Sequence, residues 1–187
     1  MNDEIKWIEE IKKGNKKSFE NIIKKWQKKF LNFFYKNIFN KHDAEELTQE
    51  LFVKLYNHIY DYDKHWKFST WIYRIAYNMI IDFKRKNKNV IGLSFDGESK
   101  EENTIKQQLK DKDAQSDIEN FVETTEIQEK VKNALLLLPK NQRNAIILRV
   151  SEEKSYEEIS EIMEISEGAV ESLLFRAREN LKKILIL

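Results

Sequence analysis

The sequence holds no cysteine, a single proline and four glycines among its 187 residues. Without cysteine it has no disulfide, no thiolate nucleophile and no sulfur ligand for a metal. With so few helix breakers it has few turns, and long helices are favoured. No apolar run approaches the ~20 residues needed to cross a bilayer. The opening MNDEIKWIEE is charged and unlike a signal peptide. The three histidines, at positions 42, 58 and 65, lack a metal-binding spacing such as H-E-x-x-H. These absences lead to the expectation of an all-α, cytoplasmic protein with no membrane insertion and no metal.

Charge is what the chain has in abundance. Charged residues make up 35%, yet the formal net charge is +1. The near-neutral total hides a segmented distribution. Residues 1–41 hold 11 Lys against 5 acids, a surplus of six positive charges. Residues 91–130 hold 5 basic residues against 11 acids, a surplus of six negative charges. The remaining stretches are nearly balanced. A basic beginning and an acidic middle say more about partners than the total does.

The length allows one large or two small domains, and apolar periodicity favours two. Phe19, Ile22, Ile23, Trp26, Phe30 and Phe33 recur at helical spacing behind a short helix ended by Gly14. A third helix is expected after NKHD, with Asp43 as a cap and Leu47, Leu51, Phe52 and Leu55 inward. A fourth is expected from Ser69 or Thr70, burying Ile72, Ile75, Met79 and Phe83. From about Ser94 to Thr125 the sequence is polar and acidic with no sustained apolar stripe, which reads as a flexible linker. Periodicity returns near Glu126 with Ile127, Val131, Ala134, Leu135 and Leu138 before Pro139, and a helix over 141–149 follows. The expected division is 1–92, a linker over 93–125, and 126–187.

The last stretch, SYEEISEIMEISEGAVESLLFRARENLKK, reads as two helices joined by a tight turn. Ser155 and Glu158 match the S-x-x-E capping box, and Ser166 can cap the second helix. Opposite a stripe of Val170, Leu173, Leu174, Ala177 and Leu181, the second helix presents Gly168, Glu171, Ser172, Phe175 and Arg176. Small residues allow close approach to a base edge, Arg takes guanine or phosphate, and Glu can accept from a cytosine amino group. The turn position is Glu164, where glycine would be unstrained. On these residues alone, a plain helical hairpin with a solvated charged face explains the stretch as well as a duplex reader does.

Two further faces stand out. Asp43, Glu46, Gln49, Glu50 and Val53 lie together on the third helix, away from its buried stripe. They suit a basic protein partner or simply solvent, and they repel DNA. On the fourth helix, Arg74, Tyr77, Ile81, Lys84 and Arg85 lie opposite the core stripe, following the aromatic segment YDYDKHWKFSTW. Cations interleaved with aromatics are what a single nucleic-acid strand requires. Phe68 and Trp71 are expected to staple this segment to the core. Tyr62, His65, Trp66 and Tyr77 are expected to be more accessible.

Four strings in this order, DAEELTQELFVKLYNHI, KFSTWIYRIAYNMIIDFKRK, LLLLPKNQRNAIILR and KSYEEISEIMEISEGAVESLLFRAREN, resemble the extracytoplasmic-function sigma factors of bacterial RNA polymerase. The resemblance spans nearly the whole chain except the acidic stretch. It implies a four-helix region 2 domain, a helix-turn-helix region 4 domain, and promoter-directed initiation without catalysis or cofactor. It implies core RNA polymerase as partner, through the β′ clamp helices and the β flap, together with promoter DNA. An anti-sigma factor is a further partner class that it admits.

By the same resemblance, Asp43, Glu46, Gln49, Glu50 and Val53 dock on the polymerase. Tyr62, His65, Trp66, Lys67, Arg74, Tyr77, Asn78, Lys84 and Arg85 meet the melted minus-ten element. Ser166, Gly168, Glu171, Ser172, Phe175 and Arg176 read the minus-thirty-five duplex. The linker passes near the polymerase active centre. A free-standing helix-turn-helix regulator would need a ligand pocket or receiver in the first domain, and the sequence offers neither. A helical adaptor without DNA binding would leave the basic aromatic face of the fourth helix unexplained.

Limited proteolysis of the free chain is expected to cut first between Ser94 and Thr125 and release two folded pieces. Protection of that segment without a partner would place the boundary elsewhere.

Overall fold

The computed structural model describes residues 3–90 and 126–186. The expected linker, 93–125, lies outside the described residues. Among these there are eight α-helices, one short 3-10 turn and no strand. The first group is α1 (Asp3–Lys12), α2 (Ser18–Ile38), α3 (Lys41–His58), a 3-10 turn (Ile59–Asp61) and α4 (Phe68–Val90). The second is α5 (Glu126–Leu137), α6 (Lys140–Val150), α7 (Tyr156–Met163) and α8 (Glu167–Ile186).

Local chemistry sets the boundaries. Gly14 takes φ +95° just after α1, a region that glycine enters without a Cβ clash. Helix α2 ends on Phe39, which is left-handed at φ 58° and donates its N–H to Tyr35 O. Only Phe39 and Asn40 separate α2 from α3, so the two helices form a tight hairpin. The cap of α3 is Asn40, whose side chain accepts from the Asp43 amide at 3.2 Å. The expectation of Asp43 as cap is thus corrected. Asp43 sits three residues inside, where a carboxylate still meets the positive end of the helix. Helix α4 begins at Phe68, ahead of the two expected caps. Thr70 is buried instead, and its hydroxyl has no hydrogen-bond partner.

The first group closes around an aromatic cluster. Phe30 is fully buried, with Tyr73 at 4.7 Å, Trp26 at 5.7 Å and Phe33 at 6.2 Å between ring centroids. Tyr73 also meets Phe33 edge-on at 5.1 Å, so α4 is tied to α2 by ring contacts as well as by burial. The expected stripes of α2 and α3 are inside. Helix α4 is buried more widely than its expected stripe: Tyr73, Ala76, Tyr77 and Ile80 are buried beside Ile72 and Met79.

The reason is the second group, which packs on the first. Helix α4 lies on α7, and α2 lies on α6. Helix α6 is enclosed along most of its length, with every residue from Gln142 to Leu148 buried. Arg143 donates to Leu136 O at 2.7 Å and Leu138 O at 3.1 Å, satisfying carbonyls at the end of α5 that no helical N–H reaches. Asn180 Nδ2 donates to Gln142 Oε1 at 2.8 Å and ties α8 to α6. On α5 only part of the expected stripe is inside. Ala134 and Leu138 are buried, whereas Ile127 and Val131 are 71% and 45% exposed.

Phe30→Ala should destabilise the chain by about 3–5 kcal/mol, the usual cost of emptying a large aromatic site. Equilibrium urea unfolding measures it. A loss below about 1 kcal/mol would mean that the aromatic cluster does not anchor α4.

Candidate nucleic-acid and polymerase interfaces

The acidic face of α3 is on the surface. Glu46, Gln49 and Glu50 are exposed, Asp43 is half-buried and Val53 is 60% exposed. Glu46 pairs with His42 at 3.4 Å and Glu50 with Lys54 at 2.9 Å, both across one helical turn. Such pairs are worth a few tenths of a kcal/mol, so a stronger cationic partner displaces them easily. Tyr56 and Tyr60 extend the apolar edge begun by Val53, at 36% and 58% exposure. The sequence pattern carried this signal in the spacing 53, 56, 60, but it was masked by the change from α3 to the 3-10 turn.

The aromatic segment before α4 is pinned rather than open. Tyr62 is buried, and its hydroxyl donates to Trp66 O at 2.6 Å. Its ring lies 5.2 Å from Trp71 and 5.7 Å from Phe68. Burial, then the Asp63 and Glu4 carboxylates, push the Tyr62 phenol up. The expectation that Tyr62 is accessible is therefore corrected: its ring fills the space under the loop. Asp63 accepts from the His65 amide at 3.0 Å and faces His65 Nδ1 at 2.6 Å. The His65 amide, then its ring, hold the Asp63 carboxyl below the usual range. Phe68 is buried and Trp71 half-buried, as stapling requires. Trp66 stands out from this set, 41% exposed, next to the exposed His65 and Lys67.

On α4, Asn78 and Arg85 are exposed, Arg74 and Lys84 are half-buried, and Ile81 is 42% exposed. Arg85 pairs with Asp82 at 3.0 Å. Tyr77 is buried, against expectation. It lies under the second group, where burial pushes its phenol up, Asn144 opposes that shift, and the Glu164 carboxylate adds to it.

Beside its apolar contacts, the seam between the two groups carries polar and charged pairs. The Tyr73 hydroxyl donates to the Glu152 carboxylate. Burial, and then that carboxylate, hold the phenol far above its usual range. Lys154 lies 4.6 Å from the centroid of the Tyr73 ring and is only 7% exposed, and its burial pushes the ammonium pKa down. Lys67 Nζ reaches Glu158 Oε1 at 3.2 Å, and Arg74 reaches the Glu164 carboxylate. Burial pushes the Glu158 carboxyl up, but the Ser155 amide and the Lys67 ammonium outweigh it and leave it below the usual range.

The helix-turn-helix is built as its sequence implies. Ser155 and Glu158 close both bonds of the capping box, at 3.1 and 2.9 Å. Ser166 accepts from the Ala169 amide at 3.2 Å. Glu164 is left-handed, φ 56°, which costs a non-glycine residue roughly 1 kcal/mol. Gly168, Glu171, Ser172, Phe175 and Arg176 are all exposed on one face of α8. Space is open around Gly168 where a Cβ would stand. The Arg176 Nε donates to Ser172 O at 3.2 Å, which aims the guanidinium along the helix. Tyr156 and Arg178, which sequence reasoning missed, join Glu171, Ser172, Phe175 and Arg176 around an open concavity of about 530 Å³.

Residues 22–90 match the family model for sigma-70 region 2, and residues 128–181 match that for sigma-70, region 4. The chain is also 34% identical over 178 residues to the ECF RNA polymerase sigma factor SigW of Bacillus subtilis, covering 95% of this chain and 94% of SigW. The chain belongs to the extracytoplasmic-function sigma factors.

Other relatives agree. SigM of Bacillus subtilis, also an ECF RNA polymerase sigma factor, is 37% identical over 145 residues, covering 78% of this chain and 81% of that one. Among solved structures, the sigma factor RpoE in complex with the anti-sigma factor NepR from Bartonella quintana matches with a TM-score of 0.68 at 20% identity. The match covers 91% of this chain and 98% of RpoE. CnrH in complex with the cytosolic domain of CnrY gives the same TM-score and identity over 96% and 94%. These two establish likeness of fold. This sigma factor therefore serves RNA polymerase in promoter-specific initiation of transcription. None of its described helices is long and apolar enough to cross a membrane.

Proposed function

We propose a division of labour within this sigma factor. The unit 1–92 binds polymerase and handles the minus-ten element. The unit 126–187 reads the minus-thirty-five duplex, and 93–125 joins them along the polymerase. The acidic face of α3, through Asp43, Glu46, Gln49, Glu50 and Val53, docks on the β′ clamp helices, and the second unit meets the β flap. The chain works in the cytoplasm and carries out no covalent step itself, and an anti-sigma factor is a further partner class, as NepR is for RpoE.

The observation that carries the minus-ten assignment is Trp66. It is an exposed indole on a loop whose Tyr62 and Phe68 rings are held down, beside the exposed His65 and Lys67. An unstacked base costs a few kcal/mol to extrude, and stacking on an aromatic returns ~1–3 kcal/mol. The remainder comes from polymerase contacts, so the isolated factor does not melt DNA. His65, Lys67, Arg74, Asn78, Lys84 and Arg85 hold the strand around that base. Tyr77 joins them only after the second unit moves off it, and Tyr62 acts as a support beneath the loop. On α8, Arg176 and Ser172 read bases, Phe175 offers an apolar surface to a thymine methyl, and Glu171 can accept from cytosine. Gly168 lets the helix approach, and Ser166 orders its first turn.

Reversing Glu46 and Glu50 to Lys should abolish co-elution with core polymerase while circular dichroism stays unchanged. Retained co-elution would remove the α3 face from the mechanism. Trp66→Ala should leave closed complexes nearly intact and cut permanganate-reactive open complexes about tenfold, within the range for one lost stacking contact. A pre-melted bubble should restore transcription. Arg176→Ala should instead weaken duplex promoter occupancy by about 1–3 kcal/mol, with poor rescue by the bubble. Equal rescue of both variants would contradict the division of labour.

A further inference from the structure

Helix α1 lies ahead of residues 22–90, which match region 2, and the division of labour gives it no part of its own. It is anchored to α2, with Ile8 and Ile11 buried and Glu4 2.8 Å from Lys25 Nζ. It also meets the segment that carries Trp66. Lys12, its last residue, donates from Nζ to Tyr62 O at 3.0 Å, across 50 positions of sequence. Glu9, on the same side of the helix, accepts from Lys64 Nζ at 3.3 Å. The helix touches the 3-10 turn from which this segment leaves.

The segment from Tyr62 to Trp66 is closed on itself. The Trp66 N–H donates to Asp63 O at 3.2 Å, and the Trp66 carbonyl accepts from the Tyr62 hydroxyl at 2.6 Å. The Asp63 carboxylate accepts from the His65 amide at 3.0 Å. After the His65 amide and ring, the Lys12 ammonium also helps to hold the Asp63 carboxyl below its usual range. Both backbone groups of Trp66 are therefore tied to Tyr62 and Asp63, and Lys12 ties that pair to α1. The indole stands 41% exposed, so the backbone that carries it sets where it points.

A fixed backbone matters for capture. A segment that presents its ring correctly only part of the time binds a base more weakly by that fraction, and order imposed on folding need not be imposed again at capture. We infer that α1 is a brace for strand capture: Lys12 is a positioning residue that holds the Tyr62–Trp66 backbone in the form that presents the indole to an unstacked base. This rests on the assignment of Trp66 to the minus-ten strand. Lys12 acts through Trp66 and needs no contact with DNA.

The test uses the full chain. Lys12→Met removes the ammonium and keeps an unbranched stem, whereas Lys12→Arg keeps a donor. Lys13→Met, at the next exposed position, controls for lost charge. In the free chain, hydrogen exchange of the Trp66 amide should quicken severalfold in Lys12→Met and stay unchanged in the other two, with circular dichroism the same in all. With core polymerase, closed complexes should form normally. Permanganate-reactive open complexes should fall about fivefold in Lys12→Met, the effect of one ordinary hydrogen bond. Lys12→Arg should restore most of them. In a Trp66→Ala background, Lys12→Met should cause no further loss, as two residues acting through one contact behave in a double-mutant cycle.

Unchanged exchange or unchanged opening in Lys12→Met would overturn the inference. So would an equal loss in Lys13→Met, no recovery in Lys12→Arg, or a full additional loss in the Trp66→Ala background. Normal opening by Trp66→Ala alone would instead overturn the assignment of Trp66.

Discussion

Tyr73 is the residue on which the arrangement of the two units depends. Its ring belongs to the aromatic cluster of the first unit, against Phe30 and Phe33. Its hydroxyl belongs to the second unit, on Glu152, with the Lys154 ammonium over the ring. One side chain thus fixes α4 to α2 by apolar contact and to the helix-turn-helix by polar contact. The two attachments differ in kind. Separating Tyr73 from Phe30 exposes apolar surface at a cost that grows with area. Separating it from Glu152 and Lys154 exchanges buried polar partners for water, a nearly balanced trade. Tyr73 is therefore held more firmly within the first unit than by its polar partners across the seam.

That asymmetry accounts for the electrical design of the chain. A factor that borrows the cationic channel of a polymerase gains nothing from tight binding to arbitrary DNA, where phosphate contacts dominate. The second unit carries nearly equal numbers of acidic and basic residues, nine of each over 131–187. Its acids Glu152, Glu158 and Glu164 face α4 and the residue before it, while Arg176 and Arg178 face outward on α8. The sorting of charge by face matters more than the near-zero total.

What was legible in the sequence was local. The capping box of Ser155 and Glu158 and the Ser166 cap rest on bonds three residues long, and both form as written. The left-handed turn at Glu164 followed from its place in the motif, a position that suits glycine. The stripes of α2 and α3 followed from one-sided burial. Helix α4 resisted because it is buried on two sides, and Tyr73 and Tyr77 carry hydroxyls that suit a polar seam as well as an open surface. Tyr62 resisted for a related reason: its partner is the backbone of Trp66, which no side-chain pattern reveals. On α5 the apolar spacing continues through Ile127 and Val131, although among the described residues both stay exposed. Periodicity gives a helix its direction of burial, but the extent of burial is set by the neighbours.

The central claim is that the two units, in contact in this structure, serve separate promoter elements on the polymerase. The absence of native cysteine allows two dyes to be placed cleanly, at Asn21→Cys on α2 and Lys183→Cys on α8, both exposed. Energy transfer between them should be high in the free factor and fall to near zero in a complex with core polymerase and promoter, where the elements lie roughly 85 Å apart. Equal transfer in the free factor and in a transcribing complex would contradict the account.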